Sequence, residues 1–76
     1  MKSLLEFLVK SIVSQPEKVK IKKEKEEKKE KYLLKVAPPD LKLVIGKKGQ
    51  IINALRLLLK IKAFKQKKEV VLQLEE

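Results

Sequence analysis

The sequence predicts an α+β fold: a three-stranded sheet with three helices packed on one face. Two kinds of apolar spacing lead there. Apolar residues recur at helical intervals near the start and again after residue 49, while three other short runs alternate in the strand manner. The third observation is their order, α-β-β-α-α-β. Strands of one sheet with helices segregated to one side make a two-layer sandwich. At 76 residues the chain is expected to be a single domain, residues 1–76, with no room for a second.

Residues 3–14 read as the first helix. Ser3 and Glu6 have capping-box spacing, Leu5, Leu8, Val9 and Ile12 share a face, and Pro16 ends the run. Residues 17–23 alternate, with Val19 and Ile21 on one side and lysines on the other. Residues 24–30, EKEEKKE, contain nothing to bury, so they read as an exposed hairpin connection between fraying strand ends, although helix propensity alone would permit a helix. Strand character resumes over residues 31–37, where Tyr32, Leu34 and Val36 face one way and Leu33 and Lys35 the other. Tyr32 has two readings, a packed strand aromatic or a platform for a base.

Pro38-Pro39-Asp40 stops that strand and suits the first turn of a short helix over about residues 39–45, ending at Gly46. A longer helix runs from near Gly49 to Lys62 or Ala63. Its core stripe is Ile51, Ile52, Leu55, Leu58 and Leu59, and its polar stripe is Asn53, Arg56 and Lys60. Leu57 and Ile61 are expected to extend the core; left exposed, they would instead form a surface for a second copy or a partner protein. Residues 69–75 close the sheet, with Val70, Leu72 and Leu74 on one face.

Composition removes several function classes. With no cysteine the chain has neither disulfides nor thiolate metal sites, and with no histidine it lacks the commonest general base. Asp40 is the sole aspartate, and no carboxylate cluster suited to a metal is apparent. No run approaches the roughly 18 apolar residues of a membrane span, and Glu6 and Lys10 interrupt the hydrophobic start without a small-residue cleavage site following. A cytoplasmic protein is expected. The net charge of +10 is unevenly placed: residues 1–40 carry +4, residues 41–68 carry +9 with no acid, and the last eight residues carry −3. An acid-free block points to a polyanion, either nucleic acid or an anionic membrane. The first helix holds only Lys2 and Lys10 as bases, which disfavours the membrane.

Both glycines of the chain stand inside that block, with Lys47 and Lys48 between them. Gly46 is expected to take the left-handed conformation that ends a helix, and Gly49 to admit another backbone close to the helix that follows. The first amides of that helix would point into the gap, where helix polarity favours an anion. Two mobile ammonium groups at the tip complete a place for a phosphodiester backbone. The spacing does not fit a nucleotide-hydrolysing P-loop, which needs a longer run between its glycines and then Lys-Ser/Thr; here Gln50 follows.

Residues 45–52, I-G-K-K-G-Q-I-I, resemble the I-G-x-x-G-x-x-I signature of KH domains, and the helix-first order resembles their type II arrangement. S-L-L-E-F-L-V-K-S-I-V near the start, V-A-P-P-D before the loop and A-L-R after it extend the similarity along essentially the whole chain, to the small bacterial stand-alone KH proteins of the KhpA family. The resemblance implies a non-catalytic protein for single-stranded RNA, in which the GxxG loop clamps the backbone of about four nucleotides and an apolar groove accepts the bases. Carried over by position, Gly46, Lys47, Lys48 and Gly49 form the clamp. Ile45 and Ile52 line or support the groove, Arg56 reaches phosphate, and Asn53 joins the RNA-binding set. Gln50 stands where relatives often carry a base, which implies weaker phosphate affinity there or compensation by nearby lysines. The connection over residues 24–30 takes the place of a variable loop beside the groove.

The same resemblance implies an RNA chaperone or post-transcriptional regulator without cofactor, metal or membrane. A module touching few nucleotides gains affinity by pairing, as a homodimer or with a larger KH-domain protein. Single-stranded DNA on the same surface, and a protein-interaction subunit of another KH protein, remain open as alternatives.

Overall fold

Residues 2–75, the span that the computed structural model describes, form α1 (Lys2–Ile12), β1 (Lys20–Lys25), β2 (Lys29–Lys35), α2 (Leu41–Ile45), α3 (Gln50–Lys65) and β3 (Glu69–Leu74). One-turn 3₁₀ segments fall at Pro16–Lys18, Pro38–Asp40 and Lys47–Gly49. The element order is the expected one. Met1 and Glu76, the ends of the expected domain, lie outside the described residues.

β2 is the central strand. It pairs antiparallel with β1, placing Ile21 opposite Leu34, and parallel with β3, placing Tyr32 opposite Leu72. A parallel pair needs a long crossover, and α2 and α3 supply it. Alternation then sends Tyr32, Leu34 and Leu72 to the helical side, where they meet Leu5 and Val9 of α1, Val44 of α2 and Ile52, Leu55 and Leu59 of α3. On β1 every residue but Ile21 is exposed, so lysines cover most of that edge of the sheet.

Several expectations shift. Ser3 lies inside α1 rather than capping it, and Glu6 pairs instead with Lys10 at 2.8 Å. α1 stops at Ile12, before Pro16, which opens a 3₁₀ turn. The chain leaving α1 is tied down by Asp40, whose carboxylate accepts from the Ser14 amide (3.1 Å), the Ser14 hydroxyl (2.6 Å) and the Gln15 amide (3.0 Å). The Ser14 hydroxyl bond is the main reason the Asp40 carboxyl stays below its ordinary value, against the opposing effect of burial. Asp40 therefore joins two segments rather than only favouring a helix start.

The hairpin is tighter than its composition suggests. β1 runs on to Lys25 and β2 starts at Lys29, and the Glu26 amide donates to the Lys29 carbonyl at 2.8 Å. Glu30, within the run read as exposed, is only 3% exposed. It sits two residues before Tyr32 and so points inward with it. Its carboxylate accepts from the Tyr32 hydroxyl (3.1 Å) and pairs with Lys23 (3.3 Å) and Lys68 (3.4 Å). Burial pushes the Glu30 carboxyl up, but the bonds from Lys23 and Tyr32 and the two lysine charges outweigh it and hold it below the ordinary value. Tyr32 is fully buried, which settles it as a packed aromatic. Burial, with the Glu30 charge and hydrogen bond, pushes its hydroxyl up to about 12.

α3 extends to Lys65, and its buried stripe is Ile52, Leu55, Leu59 and Ala63. Leu57, Leu58 and Ile61 are exposed by 59%, 46% and 50%, against the expectation that they pack inside. At about 100° per residue they lie more than a right angle from that stripe, and a two-layer fold has no third layer to cover them.

Candidate nucleic-acid interface

α2 and α3 meet at Gly46-Lys47-Lys48-Gly49, and three of these four residues have positive φ: Gly46 (74°, with ψ 177°), Lys48 (56°, ψ 28°) and Gly49 (75°, ψ 14°). Gly46 ends α2 with positive φ, as expected, but it also takes the close approach expected of Gly49. A Cβ on Gly46 would stand 2.7 Å from Ile51 Cγ1 and 2.9 Å from the Ile51 amide nitrogen, so the close approach is at Gly46. A Cβ on Gly49 would come no nearer than 3.5 Å, to Asn53 Nδ2, and Gly49 is the residue in the left-handed helical region. Gly46 combines its φ with an extended ψ, a region essentially reserved for glycine. Lys48 has no such freedom and carries strain in the turn.

The amides also differ from expectation. Gly46 N–H donates to the Lys42 carbonyl (2.9 Å), Gly49 N–H to the Gly46 carbonyl (3.2 Å) and Gln50 N–H to the Lys47 carbonyl. The start of α3 is thus partly spent on the turn itself. Lys47 and Lys48 stand exposed at the tip of the turn, so their two ammonium groups face solvent there.

Around this turn Lys47, Lys48, Gln50 and Asn53 are exposed, while Ile45, Gly46, Gly49 and Arg56 are half-buried. Ile52 is buried in the core and supports the turn from beneath. Arg56 is committed to the protein at two points: Nε–H donates to the Leu72 carbonyl and Nη1–H to Asn53 Oδ1, each at 3.2 Å. Guanidinium has five N–H donors, so others remain for an anion. These contacts hold Arg56 over β3, one of the two edge strands of the sheet.

Between α3 and that edge runs a groove of about 220 Å³, lined by Arg56, Leu59, Lys60, Val70, Val71 and Leu72. Of these only Arg56 was in the expected site; Leu59, Lys60, Val70, Val71 and Leu72 were not. The double valine at 70–71, which puts an apolar residue on each side of β3, was the available signal. The 24–30 connection, with its turn at 26–28, was expected beside the groove but contributes none of its lining. Lys29 pairs with Glu69, which follows α3, so the turn lies at the opposite end of that helix, against residues 64–68.

A family model described as "KhpA/KhpB, KH domain" matches residues 2–74. The chain is similar to a protein named RNA-binding protein KhpA from Clostridium acetobutylicum, 42% identical over 74 residues, covering 97% of this chain and 99% of that one. It is similar to a protein of the same name from Chlamydia pneumoniae, at 38% over 76 residues with 100% and 97% covered. Another, from Oceanobacillus iheyensis, is 48% identical over 56 residues, 74% of this chain and 75% of that one. No solved structure matches.

Proposed function

The chain belongs to the KhpA/KhpB KH-domain family, its α-β-β-α-α-β layout being that of the type II domain, and from that premise we propose that it binds single-stranded RNA without catalysis. The observation that carries the reading is the Gly46–Gly49 turn. It presents two exposed lysines at one point, held in positive-φ backbone that a plain helix connection does not need. Lys47 and Lys48 hold the phosphodiester backbone; Arg56 and Asn53 guide it along α3; the groove beside β3 takes unstacked bases. Gln50 faces the same path, and Ile45 and Ile52 keep the turn in shape. The relatives' shared name, RNA-binding protein KhpA, supports RNA over single-stranded DNA as the ligand. In this reading the whole chain is one KH domain, working in the cytoplasm as an RNA chaperone or post-transcriptional regulator.

Fluorescence anisotropy with labelled single-stranded RNA, single-stranded DNA and duplex, across a salt series, tests the clamp. Wild type should prefer single strands, with RNA bound at least as well as DNA. A Lys47→Asp/Lys48→Asp variant should lose most of that affinity, with a salt slope flatter by on the order of one unit as two phosphate contacts vanish. Equal binding of every polyanion by both proteins, with one slope, would remove the turn from the site.

A second observation favours pairing. Leu57, Leu58 and Ile61 form a continuous apolar face on α3 that nothing among the described residues covers. One KH module binding about four nucleotides is weak alone, and this face would join two copies, or this chain and a larger KH-domain protein. Leu57→Lys/Ile61→Lys should give a monomer by sedimentation; a dimer persisting in that variant would exclude the face.

A further inference from the structure

At the end of α3 farthest from the glycine turn, the helix terminus and the 26–28 turn enclose a second cleft of about 800 Å³, distinct from the groove. Phe64 stands in it, 83% exposed. Of the three aromatic residues in the chain, Tyr32 is buried and Phe7 lies on α1, leaving Phe64 as the aromatic surface on the helix that carries the RNA site. Burying a phenyl ring is strongly favourable, so a ring left in solvent beside a cleft is placed against its own solvation preference.

The charge around it is cationic. Lys28, Lys29, Lys65, Lys67 and Lys68 line the cleft against three glutamates. Among the described residues only Lys68 of these five enters an ion pair, with Glu30. Lys67 lies in the left-handed region (φ 57°), which lets the chain reverse from α3 into β3 while keeping a base at the corner.

The cleft also continues the path already drawn. Asn53, Arg56, Lys60 and Phe64 follow one another at spacings of three and four residues along α3: Arg56 and Lys60 line the groove, Asn53 bonds to Arg56, and Phe64 lines the cleft beyond with Glu69. From Gln50 to Phe64 the helix rises about 21 Å. A stacked strand advances roughly 3.4 Å per nucleotide, so about four nucleotides held at the turn end before the ring is reached.

We propose that Phe64 is a stacking platform for a base lying beyond those held by the glycine turn, with the lysines around it neutralising the flanking phosphates. The footprint then exceeds the four nucleotides of loop and groove. Aromatic rings accept any base face, so this contact adds affinity and length dependence without sequence preference. The inference rests on the RNA reading of the turn.

The test measures wild type, Phe64→Ala and Phe64→Trp against labelled oligoadenylates of about four and about eight nucleotides, with sedimentation to read the oligomeric state. Phe64 is exposed, so neither change should affect folding. Wild type should bind the longer strand more tightly than doubling of identical sites explains. Phe64→Ala should lose about tenfold on the longer strand and little on the shorter, and Phe64→Trp should keep or improve the longer-strand affinity. An equal effect on both lengths, or none on either, overturns the platform. A change confined to oligomeric state overturns it too and makes the ring a protein contact. If wild type binds neither strand, the RNA reading of the turn fails as well, an outcome distinct from loss of length dependence alone.

Discussion

Replacing the two glycines one at a time separates backbone demand from ligand demand, because the structure gives them different costs. An alanine at Gly49 must occupy the left-handed helical region, which costs about 1–2 kcal/mol, and its Cβ meets nothing closer than 3.5 Å. Lower entropy of the unfolded chain returns about 0.4–1 kcal/mol. The net loss is about 1 kcal/mol. An alanine at Gly46 must take φ 74° with ψ 177°, at about 2–3 kcal/mol for so rare a conformation. It must also displace Ile51 Cγ1 at 2.7 Å and the Ile51 amide nitrogen at 2.9 Å. The side chain can rotate, but the amide belongs to the first turn of α3, so overpacking adds about 1 kcal/mol or more. Gly46→Ala should thus lose about 3 kcal/mol from a domain whose 76 residues provide about 4–11 kcal/mol in total. Lys48→Gly runs the other way. It releases left-handed strain at Lys48 and should gain up to about 1 kcal/mol while losing a phosphate contact. Urea unfolding followed by circular dichroism reads all three. At about 1 kcal/mol per molar urea, the midpoint should fall by about 3 M for Gly46→Ala and about 1 M for Gly49→Ala, and rise slightly for Lys48→Gly. Equal losses at the two glycines, or a larger one at Gly49, would refute the assignment of close approach to Gly46.

Tyr32 is the only tyrosine, so the ultraviolet band of tyrosinate reports one site. Its raised value, about 12 against the ordinary 10.0, contributes stability that is complete below pH 10 and disappears as pH rises through about 12; a native midpoint near 10 would contradict the buried placement. Acid should act in the opposite sense. Glu6, Glu30 and Asp40 are all held below their ordinary values, so their stabilisation is present above about pH 4.5 and declines as pH falls through the lowered values. Melting temperature against pH should show this decline, and Asp40→Asn should weaken it while lowering the melting temperature at neutral pH. Glu30→Gln leaves Lys23 and Lys68 without their acid; with both lysines about a third exposed, the loss should be about 1–2 kcal/mol by urea unfolding, and no loss would make the pairs incidental. Arg56→Lys keeps the charge but not the fork that spans Leu72 and Asn53, so RNA affinity should fall together with about 1 kcal/mol of stability; unchanged affinity would take Arg56 out of the interface.

Periodicity made the element order legible, and the paired glycines marked the turn, because both depend on local residue type. Which face of an element is covered is a tertiary property. Leu57, Leu58 and Ile61 carry the same chemistry as Leu55 and Leu59, and only the placement of the sheet decides which stripe is buried. Glu30 was hidden for the opposite reason: in a run of charges its inward position comes from strand alternation, and Lys68, its partner, is 38 residues away. The glycine roles depended on backbone angles and on where Ile51 falls, neither of which residue identity specifies. The groove needed an edge strand opposite α3, known only once β3 had paired with β2.

In the proposed reading α3 carries an apolar pairing face and an RNA-facing edge on one helix, which would give the two associations opposite responses to salt. Each copy carries +10 overall, with +9 concentrated in residues 41–68, which include the pairing face. Joining two copies through Leu57, Leu58 and Ile61 brings like charges together while burying apolar area. At low ionic strength, with a screening length of about 30 Å at 0.01 M, repulsion acts across most of the dimer; at about 10 Å in 0.1 M salt it is largely confined to the contact. Homodimerisation should therefore strengthen as salt rises, whereas RNA binding weakens through counterion release. RNA itself should substitute for salt, since a bound strand neutralises the block that opposes pairing. Sedimentation equilibrium over a salt series, with and without an oligonucleotide, measures both trends. A dimer that dissociates as salt rises would be held by ion pairs, and the apolar face of α3 would not be its interface.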